Sequence, residues 1–229
     1  MKSLIIGKGQ VGEALYNVLV KRYGKDIFIR DKDREALEVE VNILHICFPY
    51  SKTFEDDVTD YVMEYLPDEW IIHSTVPVGT SAKLKAYYSP IRGKHPLEKG
   101  IMTFIKYLAP PDRKLKKYFE DAGIKIRQIK KTQTLEAMKL WDTAQYGWNI
   151  ILEKLIEKYC EKNKLDFNLI YKEANETYNE GYGKLGMGNV IRPILKHMKG
   201  KIGGHCIIQN CDLLESEISD IIRRINRKL

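Results

Sequence analysis

The stretch Ser3-Leu4-Ile5-Ile6-Gly7-Lys8-Gly9-Gln10-Val11-Gly12, near the start of the 229-residue chain, decides the fold. Its first four residues read as a short buried strand, and three glycines follow at the spacing GxGxxG. Val11, Leu15, Val18 and Leu19 then recur on one face of a helix that runs to Tyr23. A glycine triplet alone is weak evidence, but between a strand and a helix it marks a turn that holds phosphates. Gly7 permits the tight turn, Gly9 lets the backbone approach a pyrophosphate, and Gly12 lets helix and strand pack closely. The helix start at Gln10 and Val11 supplies N–H donors and the positive end of the helix dipole.

Working outward, Ile27-Phe28-Ile29 reads as the next strand and ends beside Asp31, nineteen residues after Gly12. An acid there is placed to hydrogen-bond an adenosine ribose, which favours NAD as cofactor. Arg30 and Lys32 flank it and have the chemistry to hold a 2′-phosphate, so NADP is not excluded. Further strands are expected at 41–48, 70–73, 86–89 and 124–126. Helices are expected at 51–65, capped by Ser51, and at 112–121. This alternation predicts an α/β protein with a doubly wound parallel sheet, a Rossmann domain over residues 1–130. From 131 to 229 the pattern is mostly helical, at 134–162 and 166–179, with a glycine-rich interruption at 181–188.

Composition narrows the class. Hydrophobic residues make up 44% and charged residues 30%, as in ordinary globular proteins. No run of eighteen apolar residues marks a membrane span, and no export signal precedes the first strand, so a cytoplasmic protein is expected. The four cysteines, Cys47, Cys160, Cys206 and Cys211, neither form a disulfide framework nor match a zinc spacing; Cys47 and Cys160 read as core. A net charge of +7 favours an anionic ligand. The basic residues are interspersed with acids, the tail 223–228 reads as a solvated helix end, and base-reading motifs are missing, so nucleic acid is not the expected partner.

Three further segments resemble the UDP-glucose/GDP-mannose dehydrogenase family, within the wider 6-phosphogluconate dehydrogenase-like group. His73-Ser74-Thr75-Val76-Pro77-Val78-Gly79-Thr80 is similar to the family's STVPVGT, Leu135-Glu136-Ala137-Met138-Lys139-Leu140 to its AE-x-x-KL, and Gly203-Gly204-His205-Cys206 to its GGHC. The resemblance implies that Ser74, Thr75 and Val76, with Pro49 after the third strand, join the cofactor site. It implies that Lys139 is an active-site lysine, Cys206 a nucleophile that traps an aldehyde, and Arg192 a substrate-binding residue. It also implies a homodimer built on the long helix, for which Trp141, Tyr146 and Trp148 offer an apolar surface.

The chain departs from the family pattern at informative places. Thr143 stands where the family has asparagine, four residues after the lysine, and would line the substrate site. Asn210 stands where the family has the aspartate that handles the hydrolytic water, and an asparagine cannot accept a proton as a base. The acidic PEFLxEG segment is replaced by residues 93–100, where His95 is a candidate acid or base. The chain ends where the family's nucleotide-sugar-binding domain would begin. Three functions are therefore expected as alternatives. The first is an NAD-dependent oxidoreductase acting on an anionic sugar or sugar-derived alcohol. The second is a two-electron dehydrogenase of the 3-hydroxyacid or 6-phosphogluconate type, and the third is an NAD-binding module without chemistry.

Overall fold

Strand β1 (Ser3–Ile6) is wholly buried and lies one strand in from the edge of a five-stranded parallel sheet. Its neighbours are β2 (Ile27–Arg30) on one side and β3 (Ile43–Ile46) on the other, followed outward by β4 (Glu69–Ile72) and β5 (Tyr87–Tyr88). The register aligns Ser3 with Ile27 and Ile43, and Ile43 with Glu69. Because the order is β2-β1-β3-β4-β5, the winding reverses between β1 and β3, which is where ligands bind in sheets of this type. The computed structural model describes residues 1–31, 37–93, 96–203 and 206–229. The chain forms two compact units, Met1–Lys139 and Leu140–Leu229.

Period-two alternation sorts the sheet residues between two apolar layers. Ile5, Ile43, Cys47 and Ile71 pack with helices α1 (Gln10–Tyr23), α4 (Leu97–Thr103) and α5 (Arg113–Asp121). Leu4, Ile6, Leu44, Ile46 and Ile72 face the other way, toward α2 (Phe54–Tyr65) and the start of α6 (Thr132–Asn163). The division between units falls after Lys139 because Leu135 and Met138, in the first turns of α6, belong to this second layer. A short helix α3 (Thr80–Lys83) joins β4 to β5.

Several local expectations are corrected. Ser51 does not cap α2; Thr53 is its N-cap residue, and its hydroxyl donates to Asp57 instead of holding a backbone N–H. A strand missed in the sequence, β6 (Lys106–Leu108), pairs in parallel with β7 (Ile126–Gln128) and meets β5 through the antiparallel bridge Tyr88–Ala109. It was hidden because its buried first position is a lysine. Asp112 caps α5 by accepting from the Leu115 N–H at 2.7 Å.

The second unit is helical, as expected. After α6 a π-helical turn, Asn168–Glu173, leads into α7 (Ala174–Lys184), which runs through Gly181 and Gly183 rather than breaking there. Helices α8 (Cys206–Leu213) and α9 (Glu217–Lys228) close the chain, and the basic tail is the last turns of α9. Tyr146 and Trp148 are half-buried and pack against Ile151, Ile207, Cys211 and Ile222 inside this unit; Trp141 is exposed. Among the described residues no helix is long and apolar enough to cross a membrane.

Candidate functional site

The glycine turn sits at the carboxyl end of β1, and its geometry explains two of its glycines directly. Gly7 has φ +102°, and a Cβ there would lie 2.8 Å from the Phe48 nitrogen. A Cβ on Gly12 would lie 1.9 Å from the Gly7 carbonyl oxygen, so only glycine lets α1 start this close to the turn. Gly9 differs from both. Its φ is −84°, open to any residue, and no described residue lies within 4 Å of where its Cβ would be. Among the described residues no side chain caps α1, so the first-turn N–H groups of Gln10, Val11 and Gly12 are available to an anion.

The exits of three strands converge on this turn. The Gly7 N–H donates to the Arg30 carbonyl at 2.9 Å, and the Cys47 N–H to the Ile6 carbonyl at 2.8 Å. Pro49 is exposed directly after Phe48, and the Ser74 hydroxyl donates to the Phe48 carbonyl at 2.5 Å, tying the exit of β4 to that of β3. Thr75 is half-buried at this edge. Val76 is fully buried in the second apolar layer, so only its backbone faces the edge. Asp31 is exposed at the end of β2, and its carboxylate accepts from the Lys8 N–H at 3.3 Å, which holds it beside the turn.

Arg30 is not available for a phosphate. It is buried, donates to the Tyr65 hydroxyl at 2.6 Å and to Glu64 at 3.1 Å, and lies over the rings of Tyr61 and Tyr65. The sequence reading that paired it with Lys32 at a 2′-phosphate is corrected on this point. Lys32 and the candidate acid or base His95 lie outside the described residues, as do Gly204 and His205.

In the sequence Glu136 is only one member of a motif, yet it organises the site. Fully buried, its carboxylate accepts from the Gly79 N–H at 2.6 Å and the Ser81 N–H at 2.8 Å. It thus pins the segment that follows Ser74-Thr75-Val76 to α6. Lys139 is one turn further along the same helix face, half-buried, and close enough for its charge to act on Lys106.

The remaining candidates belong to the second unit. Cys206 is exposed at the first position of α8, while Cys47, Cys160 and Cys211 are buried free thiols. The two positions that depart from the family pattern meet each other: the Asn210 amide donates to the Thr143 hydroxyl at 3.2 Å. Arg192 is exposed and rests on α7, its guanidinium 3.6 Å from the Tyr178 ring centroid. Its backbone exchanges two hydrogen bonds with Asn179, each 2.8 Å.

No family model matches the sequence, and no curated protein matches it at the sequence level. Solved structures do match. Similarity covers 100% of this chain and 93% of 3-hydroxyisobutyrate dehydrogenase from Mycobacterium tuberculosis, at TM-score 0.72 and 14% identity. A UDP-glucose dehydrogenase from the hyperthermophilic archaeon Pyrobaculum islandicum is matched at TM-score 0.70 and 12% identity, over 100% of this chain and 68% of that one. A reductive aminase from Aspergillus terreus, solved with NADPH, follows at TM-score 0.53 and 10% identity, over 99% and 94%. The chain thus has a fold found in dehydrogenases and reductases, a doubly wound parallel sheet followed by helices.

Proposed function

We propose that the chain binds a nicotinamide dinucleotide on the turn Gly7–Gly12 and uses it in an oxidoreductase reaction on a small anionic substrate. Gly9 carries this reading. Gly7 and Gly12 are glycines because their own chain leaves no room, whereas nothing among the described residues requires Gly9 to lack a side chain. A glycine with free space above it, beside uncapped helix N–H groups, suits the close approach of a pyrophosphate. The residues present fit the group: Asp31 would take the ribose hydroxyls, and the edge at Ser74 and Thr75 would receive the nicotinamide. With Arg30 committed to Glu64 and Tyr65, NAD is preferred to NADP.

A bound nicotinamide supplies the hydride acceptor or donor. The chain's own contributions are then positional and electrostatic. Lys139 would stabilise negative charge on the reacting oxygen or carry its proton. Arg192 would hold the anionic group, with Thr143 lining the substrate site. In the first reading the substrate is an anionic sugar or sugar-derived alcohol, and Cys206 traps the aldehyde. The pairing of Asn210 with Thr143 favours a second reading, a two-electron dehydrogenase of the 3-hydroxyacid type, because an amide held as donor provides no base for thioester hydrolysis.

Cofactor reduction screened over hydroxyacids, sugar phosphates and nucleotide sugars tests both. Turnover surviving Lys139→Ala overturns the catalytic assignment, and turnover surviving Cys206→Ser selects the two-electron reading. Tight NADH binding with no turnover on any compound selects the binding module instead. We also propose a cytoplasmic homodimer. Leu152, Leu155 and Tyr159 form an exposed apolar stripe on α6, in addition to the exposed Trp141. Sedimentation showing only a 26.7 kDa species overturns it.

A further inference from the structure

Beneath the sheet edge runs a chain of polar side chains that the proposed reaction does not use. Five elements each contribute one buried member: Ser3 from β1, His45 from β3, His73 just after β4, Lys106 from β6 and Tyr118 from α5. The Lys106 amine is 3.2 Å from His73 Nδ1, and His73 Nε2 is 2.9 Å from His45 Nδ1. His45 Nε2 is 3.3 Å from the Tyr118 hydroxyl, which lies 2.9 Å from Ser3 Oγ. Lys106 also donates to the Ser89 carbonyl at 2.6 Å and the Pro90 carbonyl at 3.4 Å. The Phe119 ring covers the cluster, 5.6 Å from the amine and edge-on to both imidazoles.

We propose that Lys106 is a positioning residue for the cofactor edge, tying the exits of β4 and β5 together and setting, through its proton, the direction of this chain. With the ammonium present, Lys106 donates to His73 Nδ1. His73 then carries its proton on Nε2 and donates to His45, His45 donates to Tyr118, and Tyr118 donates to Ser3. When Lys106 loses its proton, His73 carries hydrogen on Nδ1 and donates to the Ser89 carbonyl, 2.6 Å away. His45 now donates to His73, Tyr118 to His45 and Ser3 to Tyr118. Both arrangements leave every member bonded, and they differ by one proton.

The 2.6 Å contact between His73 Nδ1 and the Ser89 carbonyl is that of the second arrangement, and the first requires this contact to lengthen while the 3.2 Å contact to Lys106 shortens; the surroundings bring the change into reach. Burial lowers Lys106 to about 7, with Cys47 opposing and Lys139 reinforcing that shift. The titratable groups facing the amine are therefore His73, His45, Cys47 and Lys139, with Tyr118 beyond them. Burial keeps both histidines neutral, lowering His45 to about 3 and His73 well below its usual value. Cys47 is pushed up to about 12 by burial and stays a thiol. The charge that switches is thus on Lys106. Since His73 adjoins Ser74-Thr75 and Lys106 grips Ser89 and Pro90, the switch moves with the two segments leaving β4 and β5.

The functional consequence rests on the dinucleotide reading; the chain reversal does not. Imidazole nitrogen-15 spectra of the full protein, recorded from about pH 5.5 to about pH 8.5, read the tautomers directly. The proton of His45 and of His73 should move from Nε2 to Nδ1 as Lys106 titrates. One tautomer across the range, or a lysine still charged at its upper end, overturns the proposal. NADH affinity should change roughly threefold or more over the same range and become pH-independent in Lys106→Met, with binding about tenfold weaker. An affinity in the unaltered protein that ignores pH overturns the link to the cofactor edge, whether or not the variant folds. No NADH binding at any pH, with the tautomers still exchanging, instead defeats the dinucleotide reading and leaves the switch standing.

Discussion

Gly9 and Gly12 belong to one motif, but their substitutions should separate stability from binding. In Gly12→Ala the new Cβ meets the Gly7 carbonyl at 1.9 Å, so the turn or helix must move, at a cost of about 1–3 kcal/mol. Gly9→Ala meets no described residue and should unfold within a degree or two of the unaltered protein, while NADH binding weakens roughly tenfold. Thermal melts beside fluorescence titrations check both, and a Gly9→Ala protein with full affinity would remove the argument for the turn. The spacing of the three glycines was legible in the sequence; the difference between those serving the chain and the one serving a ligand was not. The same holds for Arg30. Its neighbours in sequence suggested a phosphate, whereas its neighbours in space, Glu64 and Tyr65, come from a helix more than thirty residues away.

At the scale of elements, the docking of α6 on the 79–81 segment depends on Glu136. Both its oxygens accept backbone N–H groups, and glutamine offers only one acceptor, leaving its amide against the other N–H. Glu136→Gln should cost about 1–3 kcal/mol. It should also raise KM for the cofactor more than it lowers kcat, because Ser74-Thr75-Val76 lose their anchor. An unchanged KM beside a lowered melting temperature would reduce Glu136 to a purely structural role. Most elements followed from periodicity, since β1, β3 and α1 bury the residues their patterns mark. Strand β6 did not, because a buried lysine satisfied by Ser89 and Pro90 carbonyls reads in sequence as a solvated one. The pairing of Thr143 with Asn210 was equally hidden, as each was legible only as a departure.

For the whole molecule, the buried polar groups dictate how stability responds to pH. The unfolded chain protonates His45 near 6.5 but the native state only at about 3, so stability should fall steadily as pH drops through that window. His73 adds to the same slope. Lys106 acts on the alkaline side: native protein releases its proton at about 7 and the unfolded chain near 10.5, so stability should rise from pH 7 upward. Above pH 9 that rise should flatten, because unfolded Cys47 ionises there while the native thiol holds its proton to about 12. Melting temperatures from about pH 3 to about pH 10 measure this, and Lys106→Met should abolish the rise between about 7 and 9. A flat profile in the unaltered protein would contradict the burial of these groups.

The same five residues also act as a proofreader of assembly. Sliding β3 by one position along β1 would turn His45 into the layer occupied by Leu4, Leu44 and Phe54, where an imidazole finds no partner. Leu44 would take its place opposite Tyr118 and His73, leaving His73 Nε2 without its partner and the Tyr118 hydroxyl with Ser3 alone. An all-apolar sheet would tolerate such a slip at little cost, whereas here each misaligned strand orphans several buried polar atoms at once. Correct alignment of β1, β3, β4, β6 and α5 is thereby checked by one continuous set of bonds, whatever ligand the finished protein goes on to hold.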